Sequence, residues 1–399
     1  MSAGHVTSIV ILVWAWLLAL DWVRRGIDAL RGMARIPDLT RVRLEELPDL
    51  AAGDGPDLTV VVAACNEEAA IEKTLHTLLA QRGLRLQIIA VDDRSTDRTG
   101  ERMDRIAAED ERLEVIHNCV LPRGWLGKPH AIHLALARAR APWLLLTDGD
   151  VRFEPEALAR ALRMAERERA DHFVLMPTMD GRSRVEAVMY ATIQALSLHA
   201  FRMWRVPDPK SRDFFGVGGF TLVRRQKLDD LGGMERLRME VVEDVATGYL
   251  VKRSGGRSVM AIGRGLVEID WIDGFFGIVK NLEKNGFAGL RYRVGVALGL
   301  SLGIVTNVVI PLAALWLGPW GITACLLCYL GIGLAFVAYR RVHGDSPLMA
   351  IFFAPCALVE AWALLRSMIL TLVRGGVSWR GSFYSLSELR RNAIRWSWV

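Results

Sequence analysis

Trp143-Leu-Leu-Leu-Thr-Asp-Gly-Asp150 decides how this chain is read. A short apolar run bounded by polar residues reads as a strand buried on both faces. Here it ends in two carboxylates two residues apart. Hard divalent cations such as Mg²⁺ and Mn²⁺ take oxygen ligands, often one or two protein carboxylates with phosphate and water supplying the rest. An Asp-Gly turn in a hairpin would use the same letters. The sequence on either side has to choose between the two.

Upstream, strand-like and helix-like segments alternate between about residues 57 and 270. Strands are expected at 58–64, 86–91, 113–117 and 143–146. Helices are expected at 67–81, 96–109 and 129–140, and a fourth has Pro155 in its first turn and ends near Ala170. This rhythm predicts βαβ units and a mostly parallel sheet in an α/β domain. Such sheets bind ligands at the carboxyl ends of their strands. The residues there are Cys65-Asn66-Glu67, Asp92-Asp93-Arg94-Ser95 and Asp148-Gly149-Asp150. Helix capping explains Asn66 or Asp93 singly, but not carboxylates at all three tips. A G-x-G-x-x-G dinucleotide fingerprint is absent. Gly124-Trp-Leu-Gly-Lys-Pro129 lacks the spacing of a P-loop, so nicotinamide enzymes and ATPases fall back.

The 399 residues are 52% hydrophobic yet 24% charged, which reads as two unlike parts averaged together. Residues 6–23 are nearly continuous apolar sequence, long enough to cross a hydrocarbon core. Arg24, Arg25, Arg31 and Arg35 follow and place that side in the cytoplasm. The segment reads as an uncleaved anchor with its amino terminus outside. Residues 294–317 and 321–339 are further spans, closed by Arg340, Arg341 and His343. A third apolar stretch, 348–373, contains Pro355, Glu360 and Arg366. Counting spans puts the carboxyl terminus outside, whereas Arg374, Arg380, Arg390, Arg391 and Arg395 argue for inside. A broken or re-entrant hairpin around Pro355 reconciles them. The net charge of +6 suits an anionic leaflet, and the absence of a basic stripe interleaved with aromatics argues against nucleic acid. Cys325 and Cys328 form a C-x-x-C inside an apolar helix, where packing explains it.

Five segments occur in the order found in family 2 glycosyltransferases, and in that respect the chain resembles them. They are Ala63-Ala-Cys-Asn-Glu67, Val91-Asp-Asp-Arg-Ser-Thr-Asp97, Gly124-Trp-Leu-Gly-Lys128, Thr147-Asp-Gly-Asp150 and Val242-Glu-Asp244. The likeness runs over residues 59–292 and is greatest to membrane-anchored, lipid-modifying members of the ceramide-glucosyltransferase-like and hopene-associated groups. It implies a GT-A fold, Rossmann-like with a mostly parallel sheet, acting on a nucleotide-diphosphate sugar, with a UDP-sugar expected. Ala64, Asn66, Glu67, Asp92, Asp93, Lys128 and Asp148 would line the nucleotide-sugar site, with Glu67 and Asp93 at the nucleoside. Asp148 and Asp150 would hold Mg²⁺ or Mn²⁺. Gly218, Gly219 and Phe220 would border the acceptor, or form a strand bulge. Glu243 and Asp244 would be catalytic, Asp244 as general base, although acidic residues also favour a first helical turn.

The expected organisation is an anchor and basic linker (1–45), a GT-A domain (46–270), an interfacial amphipathic helix (271–293) and a membrane region with basic tail (294–399). Trp271, Phe275, Ile278, Val279 and Leu282 recur on one helical face, which suits either a headgroup-level helix beside the acceptor or packing against the domain. The processive Gln-x-x-Arg-Trp signature is missing after Glu243-Asp244. The expected reaction is therefore inverting, metal-dependent transfer of a single sugar to a membrane lipid hydroxyl, at the cytoplasmic face of the inner membrane. The alternatives are a polyprenyl-phosphate transferase, a polysaccharide synthase and an inactive membrane scaffold.

Overall fold

A computed structural model describes residues 3–50, 53–179, 183–269 and 274–396. Helix α1 (Ala3–Met33) leads to β1 (Leu58–Ala64), α2 (Ile71–Leu79), β2 (Leu86–Asp93), α3 (Thr99–Ala107), β3 (Leu113–Asn118), α4 (Gly127–Leu136) and β4 (Trp143–Asp148). Then come β5 (Val151–Phe153), α5 (Ala157–Arg167), β6 (His172–Met176), β7 (Thr178–Met179) and α6 (Arg184–Ser197). Next are β8 (Thr221–Arg224), α7 (Arg225–Asp230), α8 (Gly233–Leu237), α9 (Glu243–Arg253), β9 (Ser258–Ile262) and β10 (Val267–Ile269). Four longer helices follow: α10 (Gly274–Gly289), α11 (Val294–Ala314), α12 (Pro319–His343) and α13 (Phe353–Arg374). After them stand β11 (Gly376–Trp379), β12 (Ser382–Ser385) and α14 (Leu386–Asn392).

Seven strands form the main sheet in the order β3-β2-β1-β4-β8-β6-β9. Only β8 runs antiparallel to its neighbours, so the mostly parallel α/β sheet is as expected. Its interior strands are apolar on both faces because helices cover both. Val60 and Val62 of β1 face one core with Leu75 and Leu158, while Val61 and Ala63 face another with Ile132 and Leu250. Strand β1 lies between β2 and β4, with Ala64 opposite Asp92 and Ala63 opposite Asp148. The three carboxylate-bearing tips are therefore immediate neighbours. Strands β2 and β4 run two residues further than the apolar pattern implied, because their terminal aspartates still take part in the ladder. Pro155 precedes α5 instead of entering it.

Among the described residues four helices are long and apolar enough to cross a membrane: Ala3–Met33, Val294–Leu317, Pro319–Val342 and the segment Pro347–Arg374. The expected break at Pro355 does not occur. Proline stands in the first turn of α13, where the missing N–H has no helical partner to lose. From there the helix is continuous to Arg374. The apolar stripe of α10 packs against protein: Ile278 and Val279 are buried, with Ile278 in one cluster with Met189 of α6 and Cys356 of α13. Phe276 stays 81% exposed.

Membrane helices and domain share one core. Val174, Met176, Met260 and Ile262 from the sheet pack in a single cluster with Trp22, Met33, Tyr339 and Val342 from α1 and α12. Without a hydrophobic drive between helices in lipid, close backbone approach through small residues holds such pairs. A Cβ on Gly331 would lie 2.4 Å from the Trp22 carbonyl carbon, and one on Gly26 would lie 2.5 Å from the Gly331 oxygen. Gly333, two residues away, has nothing within 4 Å. Gly331→Val is expected to lower stability by about 1–3 kcal/mol, read as the thermal midpoint in detergent, while Gly333→Val leaves that midpoint unchanged.

Candidate active site

Lys128, in the first turn of α4, is the hub. Its Nζ lies 2.6 Å from Asp148 Oδ1 at the tip of β4 and 2.7 Å from Glu243 Oε1 at the start of α9. Burial alone would lower this ammonium. The carboxylates of Asp148, Glu243 and Asp244 outweigh it and hold Lys128 well above its ordinary range. Burial pushes Asp148 up, but Lys128 more than reverses that and keeps it below the usual carboxylate value.

Gly218 explains how these groups meet. A Cβ there would lie 3.2 Å from Asp148 Oδ2, 3.3 Å from Lys128 Nζ and 3.6 Å from Asp244 Oδ2. The irregular segment and turn before β8 therefore run directly over the charged cluster. Gly216 lets them do so, since a Cβ there would sit 2.1 Å from the Asp244 carbonyl oxygen. Asp244 is pushed up to about 6, by burial first and then by Glu243, with Lys128 opposing.

Asp150 stands just past the β4 tip. Its Oδ1 is buried and has no hydrogen-bond partner among the described residues. Burial, then Asp148 and Glu67, push its carboxyl up to about 7. An orphaned carboxylate oxygen beside a second carboxylate has the chemistry of a partial cation site. Among the described residues no group of three His, Cys, Asp or Glu side chains converges as a complete cage.

Other expected residues are brought to the same edge with different partners. Asn66 takes a left-handed backbone (φ 57°), and its Oδ1 accepts from the Thr96 amide at 2.8 Å, tying the β1 tip to the β2 loop. Ala64 is a buried strand end beside Gly149. Asp92 accepts from the Ser95 amide and faces His117 Nδ1 at 3.2 Å. Asp93 is buried, with its oxygens accepting from Arg94 Nε and Nη2 and from Asn118 Nδ2 at 2.7 Å. A nucleoside contact by Asp93 itself thus requires displacing Arg94.

Two acceptor expectations are corrected. Phe220 is a core side chain, 1% exposed and packed on Phe153, so it cannot face a substrate. Gly219 is pressed against Ile269, where a Cβ would clash at 2.3 Å, so its small size serves sheet packing. Trp271 lies outside the described residues. Glu243 meets Lys128 directly and acts as its counter-ion.

The sequence reading missed the contribution of the segment beyond α13. Strands β11 and β12 form a hairpin whose tip, Arg380-Gly381, has φ of 47° and 77°. Positive φ at both central residues is the geometry of a type I′ turn, and a left-handed arginine costs about 1 kcal/mol. That tip reaches the domain: Arg380 Nη2 lies 2.8 Å from Glu67 Oε1, and Arg94 Nη1 donates to Ser382 Oγ at 3.0 Å. Lys284 of α10 stands 4.0 Å from the Trp379 ring centroid, and burial pulls its ammonium down to about 8. The alternation Val377-Ser-Trp-Arg-Gly-Ser-Phe carried the signal for this hairpin.

Residues 59–232 match the model of Glycosyl transferase family 2. A beta-monoglucosyldiacylglycerol synthase from Synechocystis sp. is 32% identical over 239 residues, 55% of this chain and 46% of that protein. The chain spans about half the length of the curated synthases of this kind that it matches. A 4,4'-diaponeurosporenoate glycosyltransferase from Staphylococcus aureus is 21% identical over 338 residues, 83% of this chain and 89% of that protein. A mannosyltransferase from Pyrobaculum calidifontis, solved with GDP-Man and Mn²⁺, aligns with a TM-score of 0.49 at 17% identity, covering 91% of this chain and 99% of that one.

Removing one partner of a buried ion pair strands the others. Lys128→Met is therefore expected to cost about 3 kcal/mol or more. Adding Glu243→Gln to that variant should restore part of the loss, with chemical-denaturation midpoints reporting both.

Proposed function

Since residues 59–232 are a family 2 glycosyltransferase domain, we propose that the chain transfers one sugar from a nucleotide-diphosphate sugar to a membrane lipid hydroxyl, with inversion. The observation that carries this is the Lys128–Asp148–Glu243–Asp244 cluster beside the orphaned Asp150 oxygen, at a sheet edge built onto apolar helices. Two relatives support a lipid acceptor, because their names describe glycosylation of a diacylglycerol and of a diaponeurosporenoate. Four apolar helices are few for a polymer channel, which favours one sugar over a polysaccharide. Arg24, Arg25, Arg31 and Arg35 after the first span favour the cytoplasmic face for the domain.

In this reading Glu67 borders the nucleoside end and Asp93 acts there through Arg94. Asp150 and Asp148 would hold Mg²⁺ or Mn²⁺, which when bound supplies positive charge to the leaving diphosphate. The fit rests on the Asp150 oxygen that the protein leaves without a partner. Lys128 adds a fixed positive charge where negative charge develops, and a preorganised group of this kind needs no rearrangement during reaction. Its ion pairs with Asp148 and Glu243 fix its position. Asp244 receives the proton of the acceptor hydroxyl as that oxygen attacks the anomeric carbon.

With its carboxyl near 6, Asp244 is protonated at lower pH and cannot accept that proton. Transfer in proteoliposomes is expected to fall as pH drops through about 6 and to level off above it. Asp244→Asn should cut turnover by about 10²–10⁴-fold while calorimetry finds nucleotide-sugar binding unchanged; retained turnover would remove Asp244 from the mechanism. Chelating divalent ions should abolish transfer in the wild type, with Mn²⁺ or Mg²⁺ restoring it. In Asp150→Asn the metal concentration needed for half-maximal donor binding should rise at least about tenfold, as loss of one direct ligand implies. A chain that binds neither donor nor metal would be a scaffold.

A further inference from the structure

A cavity of about 940 Å³ lies between α10, α13 and the β11–β12 hairpin. Its position follows from α13. At one end of this helix Phe353 packs edge-to-face on Trp22 at 5.4 Å, and Cys356 packs with Met189 of α6. At the other end Arg374 pairs with Glu283 of α10 at 2.7 Å, and the hairpin that follows touches Glu67. Both ends of α13 are thus tied to the catalytic domain's side of the molecule. Between them Leu358, Trp362, Ile369, Leu372 and Val373 are exposed at helical spacing. A helix with one apolar face outward and both ends on one side suits the plane of a leaflet. The cavity behind it is bordered by exposed Phe276 and half-exposed Trp362.

The lining is cationic. Lys280, Lys284, Arg366, Arg374 and Arg380 stand against one carboxylate, Glu283. That carboxylate is already shared by Arg366 at 3.2 Å and Arg374 at 2.7 Å. Arg380 reaches out of the cavity to Glu67. Lys280 and Lys284 make no ion pair within 4.0 Å among the described residues, and Lys284 rests on an indole ring instead. Lys284 is enclosed, and an enclosed ammonium without a counter-charge is costly unless an anion joins it, while the exposed Lys280 stands at the cavity mouth. Lys284 also feels the charges of Glu243 and Asp148, so this wall of the cavity faces the carboxylate cluster electrostatically.

Resting on the lipid-acceptor reading above, we propose that this cavity receives the acceptor, and that the acceptor's headgroup carries a negative charge, a phosphate or a carboxylate, which Lys280 and Lys284 hold. The lipid enters sideways from the leaflet past Phe276 and Trp362. Its charge is what distinguishes it from a neutral diacylglycerol.

The test uses the full-length chain and reads lipid retention by native mass spectrometry, with phosphatidylglycerol, oleate and diacylglycerol as probes. The wild type should retain phosphatidylglycerol or oleate at least tenfold better than diacylglycerol, and whichever anion is preferred identifies the headgroup chemistry. Lys280→Gln with Lys284→Gln should lose that preference, while Lys284→Arg keeps it. The exposed Lys280→Gln alone, which disturbs no packing, should weaken retention in the same direction. In proteoliposomes with a constant phosphatidylserine background, phosphatidylglycerol, whose headgroup carries both the charge and free hydroxyls, should also be a better acceptor than diacylglycerol. Equal retention of all three lipids would overturn the proposal. So would unchanged lipid preference in the double variant with a raised KM for the nucleotide sugar, which would assign the two lysines to the donor. Failure of the wild type to bind any nucleotide sugar would count against the function proposed above, whereas lipid retention reads the cavity by itself.

Discussion

One ammonium holds the centre of this molecule together. Lys128 brings the tip of β4, the start of α4 and the start of α9 within 2.7 Å of a common point. The desolvation of such groups offsets most of their attraction, so the arrangement adds little net stability. It adds position. Asp148 and Glu243 are fixed relative to each other, and Asp244 follows because it is next to Glu243 in a first helical turn. The glycines at 216 and 218 then let a further segment run across the cluster, which places backbone rather than side chains over the charged groups.

Much of the domain was legible because its signals are local. Period-two and buried-run patterns located β1 to β4 to within two residues, and the aspartates at their ends marked the edge where Lys128, Asp148 and Asp244 meet. What the sequence did not disclose depends on distant contacts. Asp93 looked like a ligand contact, yet Arg94 and Asn118 occupy its oxygens. Phe220 looked like part of a glycine-rich substrate segment, yet the second sheet buries it. Pro355 suggested a break because proline interrupts helices, but its effect depends on position, and here it stands in the opening turn. Arg380 was read only as a topology marker, since nothing local says that a hairpin some 310 residues from Glu67 will touch it.

The helices that follow the domain do more than anchor it. The sheet edge formed by β6 and β9 is covered on one side by α6 together with α1 and α12. Arg341 donates to the Met33 carbonyl at 2.5 Å, and Arg291 joins Glu240 at 2.7 Å beneath Trp396. Residues before, within and after the apolar helices therefore converge on one body, and the hairpin beyond α13 is held to it by Val377 and Tyr384, which pack with Leu126 and Phe287.

The Arg380-Gly381 tip has a consequence for when the protein becomes competent. The domain is synthesised before the helices that carry this tip back to Glu67. A domain folded alone would lack the cationic wall, with Arg380 missing from Glu67 and Lys284 missing from the edge of the carboxylate cluster. Packing of the later helices thus completes this edge of the domain, and a chain cut short before the hairpin would leave Glu67 without its arginine partner.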